Sequence, residues 1–401
     1  MNLHRKLPSL ALLLLSAAAL LTQVAVAADK SPREILPNST IVYAEMPQPQ
    51  KLLDTVLDHP SVAEILAHPD YKKALEAPQA QEVLKVLQLV EDKLGMKWRP
   101  AVNKLTGGGI YVGFDLPSLG VAVLTKSTDP ELAKKAIDTV LELARADAAS
   151  NGRGDPVSTD EHKGFKIYSV GPVQYVNLGP YLVTTNKPLL TRLVIDTFKE
   201  ENPSLASDEQ FQEVIKARPA NPTAWVYADL RPVRALGILK TALNKKSDNP
   251  PAEILAGGIL GALPDAPYAT AWLEVDQGRI ALSASVPGDA PALAKKREFF
   301  FGADGKGNAL PLLNPKETAL SISTFRDFSS MWKNAPDLFD DGVNAGFAAA
   351  ESQLTTLFAG RNFRDDILAN LEPGMQIVVT RQHMRMARRS RQSSFPRELS
   401  S

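Results

Sequence analysis

No cysteine occurs among the 401 residues, and the first 27 read as an export leader. A chain of this kind has to fold after crossing a bilayer, held by packing alone. His4, Arg5 and Lys6 supply the positive start, Leu7 to Leu21 an apolar run, and Ala25-Val26-Ala27 the small residues that a signal peptidase accepts. The apolar run is shorter than the ~20 residues a spanning helix needs, and the cleavage triplet follows it directly. The segment therefore reads as a removed leader and not as an anchor, with cleavage after Ala27 and the mature chain in the periplasm or outside the cell. Without a thiol there is no lipidated cysteine after the leader, no disulfide and no thiolate metal site. A 44% hydrophobic content is enough for one large or two ordinary globular domains in the 374 residues that remain.

Charge is balanced overall but unevenly placed. There are 45 basic and 45 acidic groups, yet Arg381–Ser401 alone carries six arginines and one acid. Residues 28–380 hold 37 basic against 44 acidic groups, a net charge of −7. A mildly acidic body lacks the positive field that draws proteins to nucleic acid or to an anionic membrane, so neither is expected as a partner, and no integral membrane segment is expected after cleavage.

Strand-like alternation and helix-like periodicity take turns along the body. Phe165–Val170, Val173–Leu178 and Tyr181–Thr185 are three β-rich runs separated by Gly171-Pro172 and Gly179-Pro180, which predicts a meander. Tyr268–Val275 and Gly278–Val286 predict a further hairpin, with Ile280, Leu282, Ala284 and Val286 on one face. Asp129-Pro130-Glu131 supplies a cap, a proline for the first helical position and an early acid. After it Leu132, Ala136, Ile137, Val140, Leu141 and Ala144 recur on one helical face. Pro188 opens another helix, and Ser207 with Gln210 has the spacing of a capping box. Further periodic stretches run over Leu52–Leu66, Gln79–Leu94 and Asp340–Phe358. The expected fold class is α+β, with antiparallel sheets and packed amphipathic helices.

One self-similarity is longer than a turn. Pro37 to Glu45 leads through Ile41-Val42-Tyr43-Ala44-Glu45 into a helical pattern, and Pro222 to Asp229 leads through Trp225-Val226-Tyr227-Ala228-Asp229 into another. Pro315–Phe325, followed by Phe328 and Trp332, repeats the outline more faintly. This suggests duplicated strand-to-helix units with a boundary near Pro219–Pro222, giving 28–218 and 219–380 as two units; recurrence by chance is the alternative. Gly374–Arg381 reads as a buried strand whose hairpin partner is missing, and the composition then changes to Arg, Met and Ser. Residues 381–401 are thus either a disordered basic arm or the product of a shifted frame or truncation.

Several features together resemble a group of large exported bacterial proteins known only as a domain of unknown function. They are the cysteine-free leader, Leu36-Pro37 with Thr40, Tyr43 and Glu45, then Leu94-Gly95-Met96-Lys97-Trp98-Arg99, Leu105-Thr106-Gly107-Gly108-Gly109, and the strand-to-helix join at Tyr181–Leu190. The resemblance covers most of Ile35–Thr380. It implies an exported α+β protein with no catalytic residues to carry over, and further strands at the end of the chain.

Short strings that invite a mechanism fail on chemistry. Ser330-Met331-Trp332-Lys333 and Ser247-Asp248-Asn249 match two signatures of serine penicillin-recognising enzymes, but in reversed order and without K-T-G. Asp58, His59, His68 and Asp70 carry the right atoms for a transition metal, with a spacing that suits no standard motif; each adjacent proline instead suggests two turns at helix ends. Gly107-Gly108-Gly109 precedes a strand, which suits close packing and not a phosphate. In Gly302–Asn308, Lys306 stands where a calcium loop needs oxygen, and Arg153-Gly154-Asp155 sits in a stretch typical of a surface turn. No cofactor is expected. The leading reading is a non-catalytic binding or scaffold protein of the envelope, its partner an unknown protein or envelope component met along an open sheet edge. The alternative is an envelope hydrolase whose Asp, Glu and His residues are gathered only by the fold.

Overall fold

A computed structural model describes residues 30–237, 245–276, 279–287, 295–302 and 305–380; the leader and residues 381–401 lie outside them. The described residues form two compact units, one from those up to 237 together with 266–276 and 279–287, the other from 245–265 and those from 295 onward.

Alternating apolar residues in the first unit form ten antiparallel strands: β1 (Thr40–Met46), β2 (Ile110–Asp115), β3 (Gly120–Lys126), β4 (Val157–His162), β5 (Phe165–Val170), β6 (Val173–Leu178), β7 (Tyr181–Thr185), β8 (Ala224–Asp229), β9 (Tyr268–Asp276) and β10 (Arg279–Ser285). They make one sheet in the order β10-β9-β8-β1-β2-β3-β7-β6-β5-β4. The predicted meander is β5–β6–β7, residue for residue. Gly171 and Gly179 take the positive φ, +59° and +58°, that the first position of these two-residue turns requires.

Helices cover both faces of this sheet. On one face Tyr43, Leu124, Val176, Val183, Trp225 and Tyr227 are buried. Over them pack α1 (Pro32–Ile35), α8 (Pro188–Phe198) and α9 (Glu209–Lys216), through Ile35, Leu190, Val194, Phe211 and Val214. Phe211 meets Tyr43 edge-on with ring centres 5.5 Å apart and Tyr227 at 5.1 Å, an arrangement favoured by the ring quadrupoles. Between β1 and β2 the chain makes a helical excursion through α2 (Pro49–Leu57), α3 (Pro60–Ala67), α4 (Pro69–Leu75), α5 (Pro78–Leu94) and α6 (Trp98–Thr106). Val90, Leu94, Ala101 and Leu105 of α5 and α6 join α7 (Pro130–Ser150) over Tyr175 and Leu182 on the opposite face. All six residues predicted for the buried stripe of α7 are buried. Its cap is Asp129, whose Oδ1 accepts the Leu132 amide at 3.0 Å. α10 (Arg231–Ala235) follows β8.

The second unit holds α11 (Pro250–Ala262), a 3-10 turn at Lys295–Arg297, α12 (Glu298–Phe301), α13 (Phe328–Lys333), α14 (Ala335–Leu338), α15 (Asp341–Leu357) and the antiparallel pair β11 (Thr318–Thr324) and β12 (Met375–Thr380). Phe299, Phe300, Met331, Leu338 and Phe339 form its core. Three glycines make α11 unusual. A Cβ on Gly258 would lie 2.3 Å from the Phe300 ring, and one on Gly261 2.7 Å from Arg297 Cδ. Bare backbone on this side lets Arg297 and Phe300 approach closely. Arg297 and Glu253 then form a bidentate ion pair, 2.7 and 3.2 Å, with both residues 6% exposed. Arg326 donates to the carbonyls of Ile254, Leu255, Phe300 and Phe325 and lies 3.5 Å from the Phe300 ring centre.

Four expectations are corrected. The division does not fall near Pro219–Pro222, because β8 pairs with β1 from Val42↔Ala228 to Glu45↔Trp225 and the sheet runs on through it. Leu52–Leu66 is two helices, α2 and α3, because Pro60 starts a new one after Asp58 and His59. The cap of α9 is Asp208, whose Oδ1 accepts the Phe211 amide; the Ser207 hydroxyl is spent on Ser204 O in a preceding 3-10 turn. The strand expected over Gly374–Arg381, whose last residue lies outside the described ones, is β12; it does have a partner, β11, and it is not buried: Ile377 is 38% and Val379 47% exposed, since a two-stranded ladder buries only what another layer covers. The strand-then-helix order read at three places recurs as β1 into α2, β8 into α10 and β11 into α13.

Candidate functional site

The two outer edges of the ten-stranded sheet differ in chemistry. β4 presents exposed Ser158, Thr159, Asp160 and Glu161. Asp160 binds Arg192 at 3.2 Å and His162 Nε2 lies 2.7 Å from Asp196 Oδ1. Charges of this kind blunt an edge against pairing. β10 reads Arg-Ile-Ala-Leu-Ser-Ala-Ser and has no charge after its first residue. Leu282 is 77% and Ile280 54% exposed, and Ala281, Ala284 and Ser285 are exposed with them. Its register on β9, with Ile280↔Val275, Leu282↔Leu273 and Ala284↔Ala271, puts the aliphatic residues on one face. The alternate residues of an antiparallel edge turn N–H and C=O outward, so β10, outermost among the described residues, offers a ladder flanked by apolar side chains. Exposed aliphatic residues also occur in the helical excursion, Ile65 and Leu66 on α3 and Val83 and Val86 on α5.

Several ionisable groups close upon one another. Glu45, 5% exposed, accepts from Tyr43 Oη at 2.8 Å and pairs with Arg218; burial drives the Tyr43 hydroxyl far above its ordinary value. Burial also raises Asp196, but hydrogen bonds from Lys163 and His162, with their charges, outweigh it and leave that carboxyl below its usual range. Two shallow grooves, of about 460 and 390 Å³, are lined by mixed charges, among them Asp129, Lys135 and Asp138 in the first and Lys30, Glu34 and Glu200 in the second.

The four metal candidates do not converge. Asp58 gives both oxygens to Arg99, at 2.8 and 2.6 Å, and Arg99 also holds Asp54, tying α2 to α6. The His59 carbonyl accepts the Val62 amide at the start of α3. His68 caps α4, its Nδ1 accepting the Asp70 amide at 3.3 Å with Asp70 Oδ2 3.6 Å away. The eight-residue α3 lies between the two histidines, roughly 12 Å of helical rise, too far for one ion. Among the described residues no group of three or more His, Cys, Asp and Glu side chains could hold a metal.

The remaining motifs are structural. Ser330 lies in the first turn of α13, its amide given to Asp327 Oδ1, and Asn249 caps α11 through the Ala252 amide. A Cβ on Gly108 would meet Lys126 at 2.6 Å, so the triple glycine serves close backbone packing. Gly302 and Gly307 belong to a turn closed by the Gly307 amide on Phe301 O. Arg153 pairs with Asp147 and Asp155 with Arg145, so both charges of the tripeptide are engaged. The glycine face of α11 and the buried Glu253–Arg297 pair were missed in the sequence. The spacing of Gly257, Gly258 and Gly261 is the signal that could have found them.

These observations define an α+β protein with one large helix-covered antiparallel sheet and no assembled catalytic constellation among the described residues. The chain belongs to the family described as protein of unknown function DUF3352, whose model matches residues 117–336. Among solved structures it is similar to TP0453 at 12% identity. For crystal form I the TM-score is 0.33, covering 65% of this chain and 79% of that one. For crystal form IV it is 0.34, covering 70% and 89%, and for crystal form III 0.32, covering 65% and 80%. No curated protein matches. Among the described residues no helix is long and apolar enough to cross a membrane.

Proposed function

We propose that this chain is exported, loses its leader after Ala27, and acts in the periplasm or at the cell surface as a non-catalytic binding or scaffold protein whose working surface is the outer edge of β10. The observation that carries the reading is the contrast between edges: Leu282 and Ile280 are 77% and 54% exposed on β10, while β4 is lined by Asp160, Glu161 and His162. An apolar, uncharged edge templates the addition of another extended segment, with main-chain hydrogen bonds giving affinity and alternate side chains giving selectivity. The absence of convergence among Asp58, His59, His68 and Asp70, and the engagement of Glu45, Asp196 and Glu253 in ion pairs, favour binding over the hydrolase alternative.

A photo-reactive residue placed at Leu282, compared with one at Thr159 on β4, tests the reading in the producing cell. Adducts to protein at 282 and none at 159 are expected; no adduct at 282, or equal adducts at both, would overturn the assignment. N-terminal sequencing should begin at Ala28, and an intact Met1 on cytosolic protein would remove the export step.

A further inference from the structure

Chain order and sheet order together show a pseudo-two-fold relation centred between β1 and β8. β1 is followed by helices and then by the hairpin β2–β3; β8 is followed by helices and then by β9–β10. In the sheet these runs lie as β3-β2-β1 against β8-β9-β10. At the centre Val42 faces Ala228, Tyr43 faces Tyr227 and Ala44 faces Val226, so the shared Val-Tyr-Ala triplet pairs with itself. Under this relation β10 occupies the place of β3, and both have seven residues. The outer edge of β3 is taken by an antiparallel strand, β7, from Ala122↔Thr185 to Lys126↔Tyr181. The outer edge of β10 carries none among the described residues.

We propose that the outer edge of β10 is filled by β10 of a second copy of this chain, antiparallel across a true two-fold axis; this rests on the reading of β10 as the working edge. The strand is self-complementary in the register centred on Leu282. Leu282 meets its own counterpart, Ile280 meets Ala284 of the other copy, and Ala281 meets Ser283, so a large residue faces a small one beside the axis. The one charged position, Arg279, falls opposite Ser285, and no like charges oppose each other. Pairing β10 with β4 of another copy would be heterologous and would leave further edges free to grow into a filament, whereas β10 on β10 closes on itself.

The cysteine-free chain makes the test clean, because one introduced thiol has no competitor. In the mature full-length protein, Leu282→Cys should give a disulfide-linked dimer on mild oxidation, since directly opposed Cα atoms lie about 4.5–5.5 Å apart, within disulfide range. Ile280→Cys and Ala284→Cys should each fail alone, and the double variant should cross-link. Light scattering should show a wild-type dimer, and Leu282→Lys, which sets two ammonium groups face to face on the axis, should weaken it at least about tenfold without changing the circular dichroism. A wild-type chain that stays monomeric at every concentration, or equal cross-linking at 280, 282 and 284, would overturn the proposal. A monomer that still gives adducts to a different protein at 282 defeats self-pairing alone, whereas a monomer without adducts defeats the edge assignment as well.

Discussion

Gly258→Ala sets helix propensity against packing in one substitution. In an exposed helix interior alanine is favoured over glycine by about 0.8–1 kcal/mol. At position 258 the added methyl would sit 2.3 Å from two atoms of the Phe300 ring and 2.7 Å from its Cβ. The ring cannot swing away freely. It is 6% exposed, it stands edge-on to Phe301 with centres 4.7 Å apart, and it lies under the Arg326 guanidinium, which is itself bonded to α11 carbonyls. Overpacking costs about 1–3 kcal/mol, and a contact this short belongs at the upper end, so subtracting the propensity gain leaves an expected net loss of about 2 kcal/mol. Gly346 in α15 has nothing within 4 Å of its would-be Cβ, and Gly346→Ala should stabilise by about 0.5–1 kcal/mol. Hydrogen exchange resolved by mass spectrometry, following peptides from α11 and α15 in urea, reads the second unit separately. A Gly258→Ala protein as stable as wild type, or more so, would refute the packing argument.

Other outcomes follow from the ion pairs and caps. Arg297→Met leaves the Glu253 carboxylate buried without its partner and should cost about 3–5 kcal/mol, much of it recovered in the Glu253→Leu/Arg297→Met double variant; a denaturant-based double-mutant cycle checks both. Asp196 titrates below its unfolded value, so the unfolded chain binds its proton more readily. Its contribution is present above about pH 4 and is lost as pH falls through the lower folded value, and acid titration of Asp196→Asn, monitored by circular dichroism, should show a flatter acid limb. Asp129→Ala removes the acceptor for the Leu132 amide at 3.0 Å and should destabilise the first unit by about 1 kcal/mol in urea.

The local grammar of the chain was legible. Gly-Pro pairs placed the β5–β6–β7 turns, Asp129 and Asp340 marked two helix starts, and the aliphatic stripe of α7 was read correctly, because turn conformations, caps and helical faces are decided by residues a few positions apart. Ser207 was misread as a cap because a serine three residues before a glutamine carries the same signature whether its hydroxyl faces Gln210 or turns back to Ser204. The candidate surface was half legible: the alternation of Ile280, Leu282 and Ala284 predicts a strand, but nothing in it says that the strand lies outermost.

By itself, the sequence determined that stability must come from packing without disulfides, that strands and amphipathic helices would share the body, and where most of them begin. Tertiary structure alone decided that β8 continues the sheet begun by β1, that β10 and β4 are its edges, that His59 and His68 stand at opposite ends of a helix, and that three glycines admit a buried ion pair. Those outcomes depend on contacts between residues tens to hundreds of positions apart, whose energies no short window of sequence contains.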